Sequence, residues 1–409
     1  MNILLNIAWK NIWRNRFRSL IIMSATTLGI FAGLLIISFT KGMTEQRISN
    51  ALNTEVSHLQ IHRPQFIIQD DITLLIHSSD SIEKVLRGNE QITGYSSRIL
   101  LNSIISSAET GTNAKVKGID PEKEKQVTDL YKHITQGSYF VADRLNPVVI
   151  GEKLAAKLKV KLNSKIVLQI QDLQGNITPA AFRVSGIYKT ENLAYDEVNV
   201  FVLKKDLRRL TGIDSTSVHE IAIFLKNYQQ AKKVQADLKT QLPGLEILTW
   251  KELDALLSYM SDIMDQYLYF VMIVILLALI FGIVNTMMMS ILERVKELGM
   301  LMAIGMSRQR IVRMILYETV LLTLTGAFFG ILIGTLFVSY YHKHGIDLSL
   351  WSKGMGQYGF ATTVYTSIQP SYIAEIVMLV IMTGFLAAIF PVWKHLSISV
   401  AFTPRSSNM

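Results

Sequence analysis

Cysteine is absent from this chain of 409 residues, and proline and charged residues are scarce. Without cysteine there is no disulfide, no thiolate zinc site, no iron–sulfur cluster and no cysteine nucleophile. The phosphate-binding motif GxxxxGKS/T and the catalytic motifs HExxH and GxSxG are missing as well, and no GxGxxG follows a predicted strand. We therefore predict that the chain is not an enzyme and has no catalytic residue, no metal and no cofactor of its own.

Half of the residues are hydrophobic, and the long apolar stretches are almost free of charge. A helix rises about 1.5 Å per residue, so about 20 apolar residues cross the ~30 Å hydrocarbon core of a bilayer. The first stretch is longer than the apolar region of a cleaved signal peptide, so we interpret it as an uncleaved anchor. We predict four transmembrane helices, at residues 19–40, 267–292, 314–340 and 373–392.

Near the ends of these predicted helices, lysine and arginine lie mainly on one side. They precede the first helix, occupy the segment between the second and third helices, and follow the fourth. Trp9 and Trp13 stand among the first of these basic residues, which predicts contact with membrane lipids. The positive-inside rule places both termini in the cytosol. The cytosolic segments are then an amphipathic helix at 1–18, a loop at 293–313 and a tail at 393–409, and the outer segments are 41–266 and 341–372.

The net charge of +9 does not indicate binding to nucleic acid. The large outer segment, 41–266, has 28 lysines and arginines against 27 aspartates and glutamates. A domain with that balance lacks the basic surface that a phosphate backbone requires. The positive surplus therefore belongs to the segments that orient the chain, and we expect no nucleic-acid partner.

The outer segment 41–266 shows short patterns of both strand and helix. Alternation with period two predicts strands, and apolar residues at helical spacing predict helices. The fold class that follows is α+β, an α/β domain that contains a β-rich insert at 148–203. Helical stalks are expected to continue the first span as far as Leu52 and to lead from Trp250 into the second span without a break. The predicted strands are 56–62, 96–106, 217–225 and 245–249, and the predicted helices are 80–87 and 228–241.

Two pairs of histidines have the spacing of possible metal ligands. His58 and His62 share one face of a predicted strand, and His342 and His344 lie beside the outer end of the third span. Neither pair has a third ligand at a suitable spacing. We favour solvated surfaces at both places and predict no metal site.

The predicted cytosolic loop, 293–313, is the most informative segment. Leu298, Leu301 and Met302 recur at helical spacing, Gly305 marks a turn, and Ser307 is placed to cap the next helix. The pattern predicts a short amphipathic helix on the cytosolic membrane surface. An interfacial connector and a docking site for another protein both fit that pattern.

The third predicted span contains one carboxylate and three evenly spaced glycines. Glu318 lies one to two turns inside the span, where a carboxylate is costly unless it is paired or reaches the interface. Two roles remain open for it, an interfacial residue that faces a nearby arginine and a conformational switch. Gly326, Gly330 and Gly334 favour a helix-packing surface over a substrate path.

The loop resembles the Glu-Arg-x-x-Glu-hydrophobic-Ala-x-Gly-x-Ser/Ala-Arg pattern of FtsX-domain permeases. That family contains the lipoprotein-releasing Lol permeases, the MacB-type efflux pumps and the division protein FtsX. The likeness extends to Glu318 with the glycines that follow it, and to the run from Ala387 to Trp393. In the outer segment, Gly118 to Pro121 and Val149 to Ala155 resemble motifs of the MacB-like periplasmic core. The resemblance covers nearly the whole chain, with an FtsX-like permease domain at about 267–400.

The resemblance implies a permease subunit of a mechanotransmitting ABC transporter in the bacterial inner membrane. A separate cytosolic ATPase dimer, which carries ATP and magnesium, would push the loop helix and so move the outer domain. The further partners implied are a second permease subunit, in a homo- or heterodimer, and a lipoprotein or other amphipathic substrate from the outer leaflet. The residues that would contact the ATPase are Glu293, Arg294, Glu297, Ala303, Gly305 and Arg308.

The chain is most similar to the LolC/LolE type in length and layout. Asn163-Ser164 stands where the family often has Gly-Asp, and the hairpin at 171–181 is short for one that docks a soluble carrier. The alternatives are MacB-type efflux of peptides or drugs, FtsX-like signalling to cell-wall hydrolases, and a membrane scaffold without transport.

Overall fold

The computed structural model describes residues 3–14, 16–140, 145–367, 373–379 and 381–387. Contacts between Cα atoms divide the chain into two compact units. The helical unit comprises residues 1–43, 263–346 and 364–409, and the sheet unit comprises residues 44–262 and 347–363. The predicted tail, 393–409, lies outside the described residues.

Helices of very different lengths occur in the two units. Three of them, α2, α11 and α13, have 36, 39 and 37 residues. The helices are α1 (Ile3–Arg14), α2 (Arg16–Ala51), α3 (Phe66–Gln69), α4 (Ser79–Arg87), α5 (Pro121–Glu124), α6 (Glu152–Leu158), α7 (Leu193–Val198), α8 (Lys204–Thr211), α9 (Ala231–Gln241), α10 (Trp250–Leu253), α11 (Ala255–Glu293), α12 (Val295–Ala303), α13 (Arg308–His344) and α14 (Ser352–Gln357).

Three helices among the described residues are long and apolar enough to cross a membrane, namely α2, α11 and α13. The first three predicted spans lie within them. Of the fourth predicted span, 373–392, residues 373–379 and 381–387 are helical, and residues 380 and 388–392 lie outside the described part of the chain. The chain is therefore a membrane protein, and the number of four spans stays a prediction.

Ten strands of the sheet unit are connected by hydrogen bonds. Their order is β10-β1-β9-β2-β3-β8-β5-β7-β4, and β6 pairs with both β2 and β7. They are β1 (Leu59–His62), β2 (Ile92–Ser106), β3 (Gly111–Ile119), β4 (Ile134–Gly137), β5 (Pro147–Gly151), β6 (Lys165–Gln171), β7 (Ile177–Tyr188), β8 (Asn199–Leu203), β9 (Glu220–Leu225) and β10 (Glu246–Thr249), and a separate short pair is β11 (Ile346–Asp347) with β12 (Thr363–Val364).

Six of these strands close into a barrel. The pairings run from β2 to β3, β8, β5, β7 and β6 and return from β6 to β2. Alternate residues point inward, so Ile166, Leu168 and Ile170 of β6 are buried while their neighbours are more exposed. A barrel of so few strands is filled by its own side chains and has no lumen. The β-rich part thus begins in β2, well before the predicted residue 148.

The remaining strands, β10, β1 and β9, continue the sheet on the other side of β2. The helices α4 and α9 contribute buried leucines to a second core with these strands, among them Leu86 and Leu238. The fold is therefore α+β, as the sequence predicts. Strand β2 belongs to both parts, because its first half pairs with β9 and its second half pairs with β3.

Arg98 lies at the point where β2 changes its partner. Its guanidinium is buried and binds two buried carboxylates, with Nη2 2.6 Å from Glu124 Oε1 and Nη1 2.5 Å from Glu220 Oε1. Glu124 also accepts a hydrogen bond from Ser96 Oγ at 2.8 Å. Burial raises the pKa of Glu124, and the positive charge and hydrogen bonds of Arg98 outweigh that effect, so the pKa lies below the ordinary value of 4.5. This ion cluster joins the barrel to the α/β part.

The loop 347–363, between α13 and the predicted fourth span, belongs to the sheet unit. Arg47 of α2 donates from Nε to the carbonyl oxygen of Tyr358 at 2.8 Å and from Nη1 to Glu55 at 2.9 Å. Asn192 donates to the second oxygen of Glu55 at 2.9 Å. Buried Arg47 therefore holds the loop against the segment that follows the first long helix.

Several local predictions need correction. The helix α2 does continue to Ala51, but a π-helix then occupies Leu52–Val56, so the first strand begins at Leu59. The second stalk is interrupted, because Asp254 has an extended backbone and its carboxylate accepts from the amides of Leu256 and Leu257. The predicted elements 80–87, 96–106, 217–225, 228–241 and 245–249 correspond to α4, β2, β9, a 3-10 turn followed by α9, and β10, with first residues shifted by at most four positions and the same last residues.

Replacing Arg98 with methionine is expected to reverse the pH dependence of the stability of the sheet unit. In the native protein the stabilisation from ionised Glu124 is complete above pH 4.5 and is lost as the pH falls through its lowered folded-state pKa. In Arg98→Met the buried carboxylate loses the guanidinium that binds it, so burial dominates and its folded-state pKa rises above 4.5. The variant should lose about 3–5 kcal/mol at neutral pH and recover part of this as the pH falls toward 4.5.

Thermal unfolding of the full chain in detergent, followed by circular dichroism between neutral pH and about pH 4.5, measures both effects. Arg209→Met is the matched control, because Arg209 is exposed and its ion pair with Asp206 is 3.6 Å long. A constant difference in unfolding temperature between Arg98→Met and the native chain across this pH range would contradict the prediction.

Candidate coupling loop and helix-packing site

The helix α12 lies between the ends of two long helices. Residue Arg294 separates it from α11, and the residues 304–307 separate it from α13. Its apolar side chains Leu298, Leu301 and Met302 are partly buried and pack on a core that includes Ile291 and Ile311. The predicted amphipathic helix in the loop is therefore present.

The opposite side of α12 and the turn after it form an exposed surface, which we call the coupling face. Ile304 has 85% of its surface exposed and Met300 has 61%. Ala303, Gly305 and Arg308 are exposed beside them. A loop that exposes large apolar side chains beside arginines has the chemistry of a protein-docking surface.

Gly305 is required by the backbone of the turn. Its φ of +97° lies in a region that residues with a side chain rarely adopt. An added Cβ would meet no atom within 4 Å, so crowding within the chain is not the reason for glycine here. Ser307 takes the N-cap position of α13 as predicted, but its hydroxyl makes no capping hydrogen bond.

Glu318 and Arg294 bind each other inside the helical unit. Arg294 Nη1 lies 3.2 Å from both carboxylate oxygens of Glu318, and the two side chains are 12% and 6% exposed. A buried carboxylate in a span is tolerated when it is paired in this way. The arrangement agrees with the first predicted role of Glu318, a glutamate that faces a nearby arginine. Arg294 consequently points inward, which corrects its assignment to the exposed coupling surface.

Glu297 binds two arginines of its own chain. It accepts hydrogen bonds from Arg14 of α1 and from Arg294 Nε, the latter at 3.3 Å. The hydrogen bond from Arg14, followed by that from Arg294, lowers the pKa of Glu297 below its ordinary value. Glu293 is exposed at the end of α11. Of the six predicted contact residues, Ala303, Gly305 and Arg308 thus lie on the coupling face, and Arg294 and Glu297 form ion pairs within the chain.

The three glycines of α13 lie against α2. A Cβ on Gly326 would fall 2.8 Å from the carbonyl oxygen of Met23, and one on Gly330 would fall 2.9 Å from that of Thr27. Gly334 faces Leu34 Cδ1, which would lie 2.7 Å from an added Cβ. At these glycines the backbones of α2 and α13 approach closely. The preference for a helix-packing surface over a substrate path stays a prediction.

A second small-residue contact was not identified from the sequence. Gly29 and Gly33 of α2 face Leu279 and Ile275 of α11, with an added Cβ 2.6 Å and 3.2 Å from their side chains. The spacing of four residues between these glycines was a signal that was available in the first span. The helix α2 therefore contacts α13 through the glycines of α13, and it contacts α11 through its own Gly29 and Gly33.

His58 and His62 are buried, so the solvated strand face predicted for them is wrong. His62 Nε2 lies 2.9 Å from Gln60 Oε1, and the ring stacks on Phe66. Burial lowers the pKa of His58 to about 4, so this histidine is neutral at neutral pH. His342 Nδ1 lies 2.6 Å from the carbonyl oxygen of Thr366. Within the described ranges, no group of three His, Cys, Asp or Glu side chains is arranged to hold a metal.

Two family models match the chain. The FtsX-like permease C-terminal model matches residues 269–400, and the MacB-like periplasmic core domain model matches residues 19–241. The lipoprotein-releasing system transmembrane protein LolC of Buchnera aphidicola subsp. Schizaphis graminum is 23% identical over 347 residues, which are 82% of each chain.

Two other similar proteins bear the name MacB. The macrolide export ATP-binding/permease protein MacB of Syntrophobacter fumaroxidans is 30% identical over 173 residues, which are 39% of this chain and 24% of that protein. The crystal structure of the periplasmic region of MacB from Actinobacillus actinomycetemcomitans covers 55% of this chain and 98% of its own, with 14% identity and a TM-score of 0.35.

Substitution of the glycines on α13 should weaken the helical unit in a graded way. Gly326→Ala and Gly330→Ala place a methyl group against carbonyl oxygens of α2. Gly334→Ala meets only the end of a leucine side chain, which can move. The first two variants should therefore lose more stability than the third. Gly282→Ala is the matched control, because no atom lies within 4 Å of its added Cβ.

Thermal unfolding in lipid nanodiscs measures this order. We expect losses of about 1–3 kcal/mol for the first two variants, as for other overpacked sites. The control should be unchanged or slightly stabilised, because alanine is the better helix former. Equal unfolding temperatures for Gly330→Ala and Gly282→Ala would contradict the close approach of α2 and α13.

Proposed function

We propose a function on the premise that this chain belongs to the FtsX-like permeases that carry a MacB-like periplasmic core domain. Its relatives are ABC transporter permeases, which act with a partner ATPase and often with a second permease. We propose that the chain is the mechanotransmitting permease subunit and that ATP and magnesium bind to a separate cytosolic ATPase dimer.

The observation that carries this proposal is the coupling face. Ile304, a large apolar residue of this face, has 85% of its surface exposed. An ATPase that binds there would push on a helix connected at both ends to long helices. The helices α11 and α13 have 39 and 37 residues, so at about 1.5 Å per residue each transmits a displacement over more than 50 Å.

For the substrate we propose a lipoprotein that is taken from the outer leaflet and passed toward the outer membrane. The likeness to LolC, which covers 82% of each chain, supports this choice. The substrate would enter between the first and second spans. Because α2 and α11 touch at Gly29 and Gly33, entry there requires this contact to open.

The proposed placement is the inner membrane of a bacterium, with four spans, both termini in the cytosol and the sheet unit in the periplasm. The distribution of lysine and arginine supports this orientation. The loop 293–313 would then face the ATPase, and the loop 347–363 would lie with the sheet unit on the periplasmic side.

Efflux of a peptide or drug is the second candidate, since one relative is named for macrolide export. The match to that relative spans 24% of its length, and its name includes an ATP-binding part. No GxxxxGKS/T motif occurs in the 409 residues here. Lipoprotein release and efflux share the proposed coupling mechanism. They differ in the substrate that binds between the transmembrane helices.

Binding of the ATPase is tested with a charge on the coupling face. Full-length tagged chain, purified from its native host, should retain a second chain that contains a GxxxxGKS/T motif and hydrolyses ATP. Ile304→Asp should remove that chain, because a carboxylate would be buried against apolar partner atoms.

The matched control is Ile68→Asp in the sheet unit, because Ile68 is also 85% exposed. The control should retain the ATPase and its activity. Native chain purified without any nucleotide-binding chain, or equal retention by both variants, would refute the coupling role of the loop.

The substrate is tested by native mass spectrometry of the complex extracted in nanodiscs. A lipoprotein should be retained in the absence of ATP and lost when ATP and magnesium are added, because movement of the helices expels it. Retention of a peptide or drug instead would support efflux. Retention of bulk phospholipid alone would contradict lipoprotein release.

A further inference from the structure

We infer that the N-terminal helix α1 is part of the coupling machinery and that Arg14 is a residue that positions α12. The inference rests on the proposed function of the coupling face and extends it to a helix that the sequence assigns to lipid contact. It is carried by two independent sets of contacts within the helical unit, one ionic and one apolar.

The ionic contacts form a row of four alternating charges. Arg14 binds Glu297, Glu297 binds Arg294, and Arg294 binds Glu318. Their side chains are 55%, 48%, 12% and 6% exposed in that order. The row therefore leads from the protein surface at α1, across α12, to a buried carboxylate of α13.

The apolar contacts hold α1 in place beside the loop. Ile12 is 3% exposed and belongs to the core that contains Ile291 and Ile311. Leu298 and Leu301 of α12 pack on the same core. At the turn between α1 and α2, Ser19 Oγ donates a hydrogen bond to the carbonyl oxygen of Ile12 at 2.8 Å. The helix α1 is thus fixed to α2 and packs on α13, and Arg14 connects it to α12 through Glu297.

These contacts divide the surface of α12 into two parts. The coupling face is exposed, and the apolar side packs on the core. Arg14 of α1, a helix that packs on α13, binds α12 through Glu297, and Arg294 at the start of α12 binds Glu318 of α13. A partner that pushes on the coupling face moves α11 and α13 together only if α12 is tied to them in this way. Without Arg14, Glu297 would keep Arg294 but lose its connection to α1, so α12 would yield to the push.

This role is separable from a role in folding. An ion pair between half-exposed side chains contributes little to global stability. Loss of Arg14 should therefore leave the chain folded and the coupling face intact, while the transfer of motion from α12 becomes weaker. Substitution with lysine keeps the charge and should preserve most of the function.

The first experiment needs no partner. Because the chain has no cysteine, Ala303→Cys provides a single site for a nitroxide spin label on the exposed side of α12. In full-length chain in nanodiscs, Arg14→Ala should sharpen the electron paramagnetic resonance lines of this label, which reports greater mobility. Arg14→Lys should restore the broad lines. Lys10→Ala is the matched control, because Lys10 is an exposed basic residue of the same helix.

The second experiment uses the complex with its copurified ATPase. Arg14→Ala should retain the ATPase subunit and keep the KM for ATP, while kcat and substrate release fall several-fold, and Arg14→Lys should recover both. Unchanged label mobility in Arg14→Ala, or an equal increase in Lys10→Ala, would overturn the inference. Absence of an ATPase from the native complex would overturn the proposed function, and the label measurement would still decide whether Arg14 positions α12.

Discussion

The close approach of α2 and α13 is the constraint on which the helical unit depends. Lipid surrounds apolar side chains as favourably as a neighbouring helix does, so helices in a membrane associate by close packing. Gly326 and Gly330 supply that packing because their missing side chains leave room for carbonyl oxygens of α2. The same buried side of α13 carries Glu318. The contact that brings the helices together thus also places the carboxylate where Arg294 binds it.

Pairing within the chain changes the chemistry of the loop. A loop of free charges would bind a partner mainly through exposed ion pairs, each of which contributes little. Here Arg294 and Glu297 bind other residues of the helical unit, and Met300 and Ile304 are exposed on the coupling face. Apolar side chains of this size, buried on docking, supply most of the energy of a typical interface. The charges instead fix the orientation of the helix that carries them.

Local patterns in the sequence predicted much of the fold and part of the site. Periodicity identified the long helices, α4 and the amphipathic α12, and the spacing of Gly326, Gly330 and Gly334 indicated a packing face. Pairing over long distances was not predictable, since nothing local connects Arg14 with Glu297, which are 283 positions apart. Closure of the barrel was unpredictable for the same reason, because β6 pairs with β2, which lies about 60 residues earlier in the sequence. The break at Asp254 was not predicted, because a single residue with an extended backbone barely changes the spacing of the apolar residues around it.

The position of β1 in the sheet determines the order of events during synthesis. Leu59 pairs with Ile223 on one side and with Thr249 on the other. About 190 further residues must therefore be synthesised before β1 can pair with its second neighbour, β10. Such a high contact order implies slow folding, and it leaves the first strand with two open edges until the last strands have been translated. After β10 only the short helix α10 and Asp254 precede the second long helix, so completion of the sheet and insertion of α11 become consecutive steps of biogenesis.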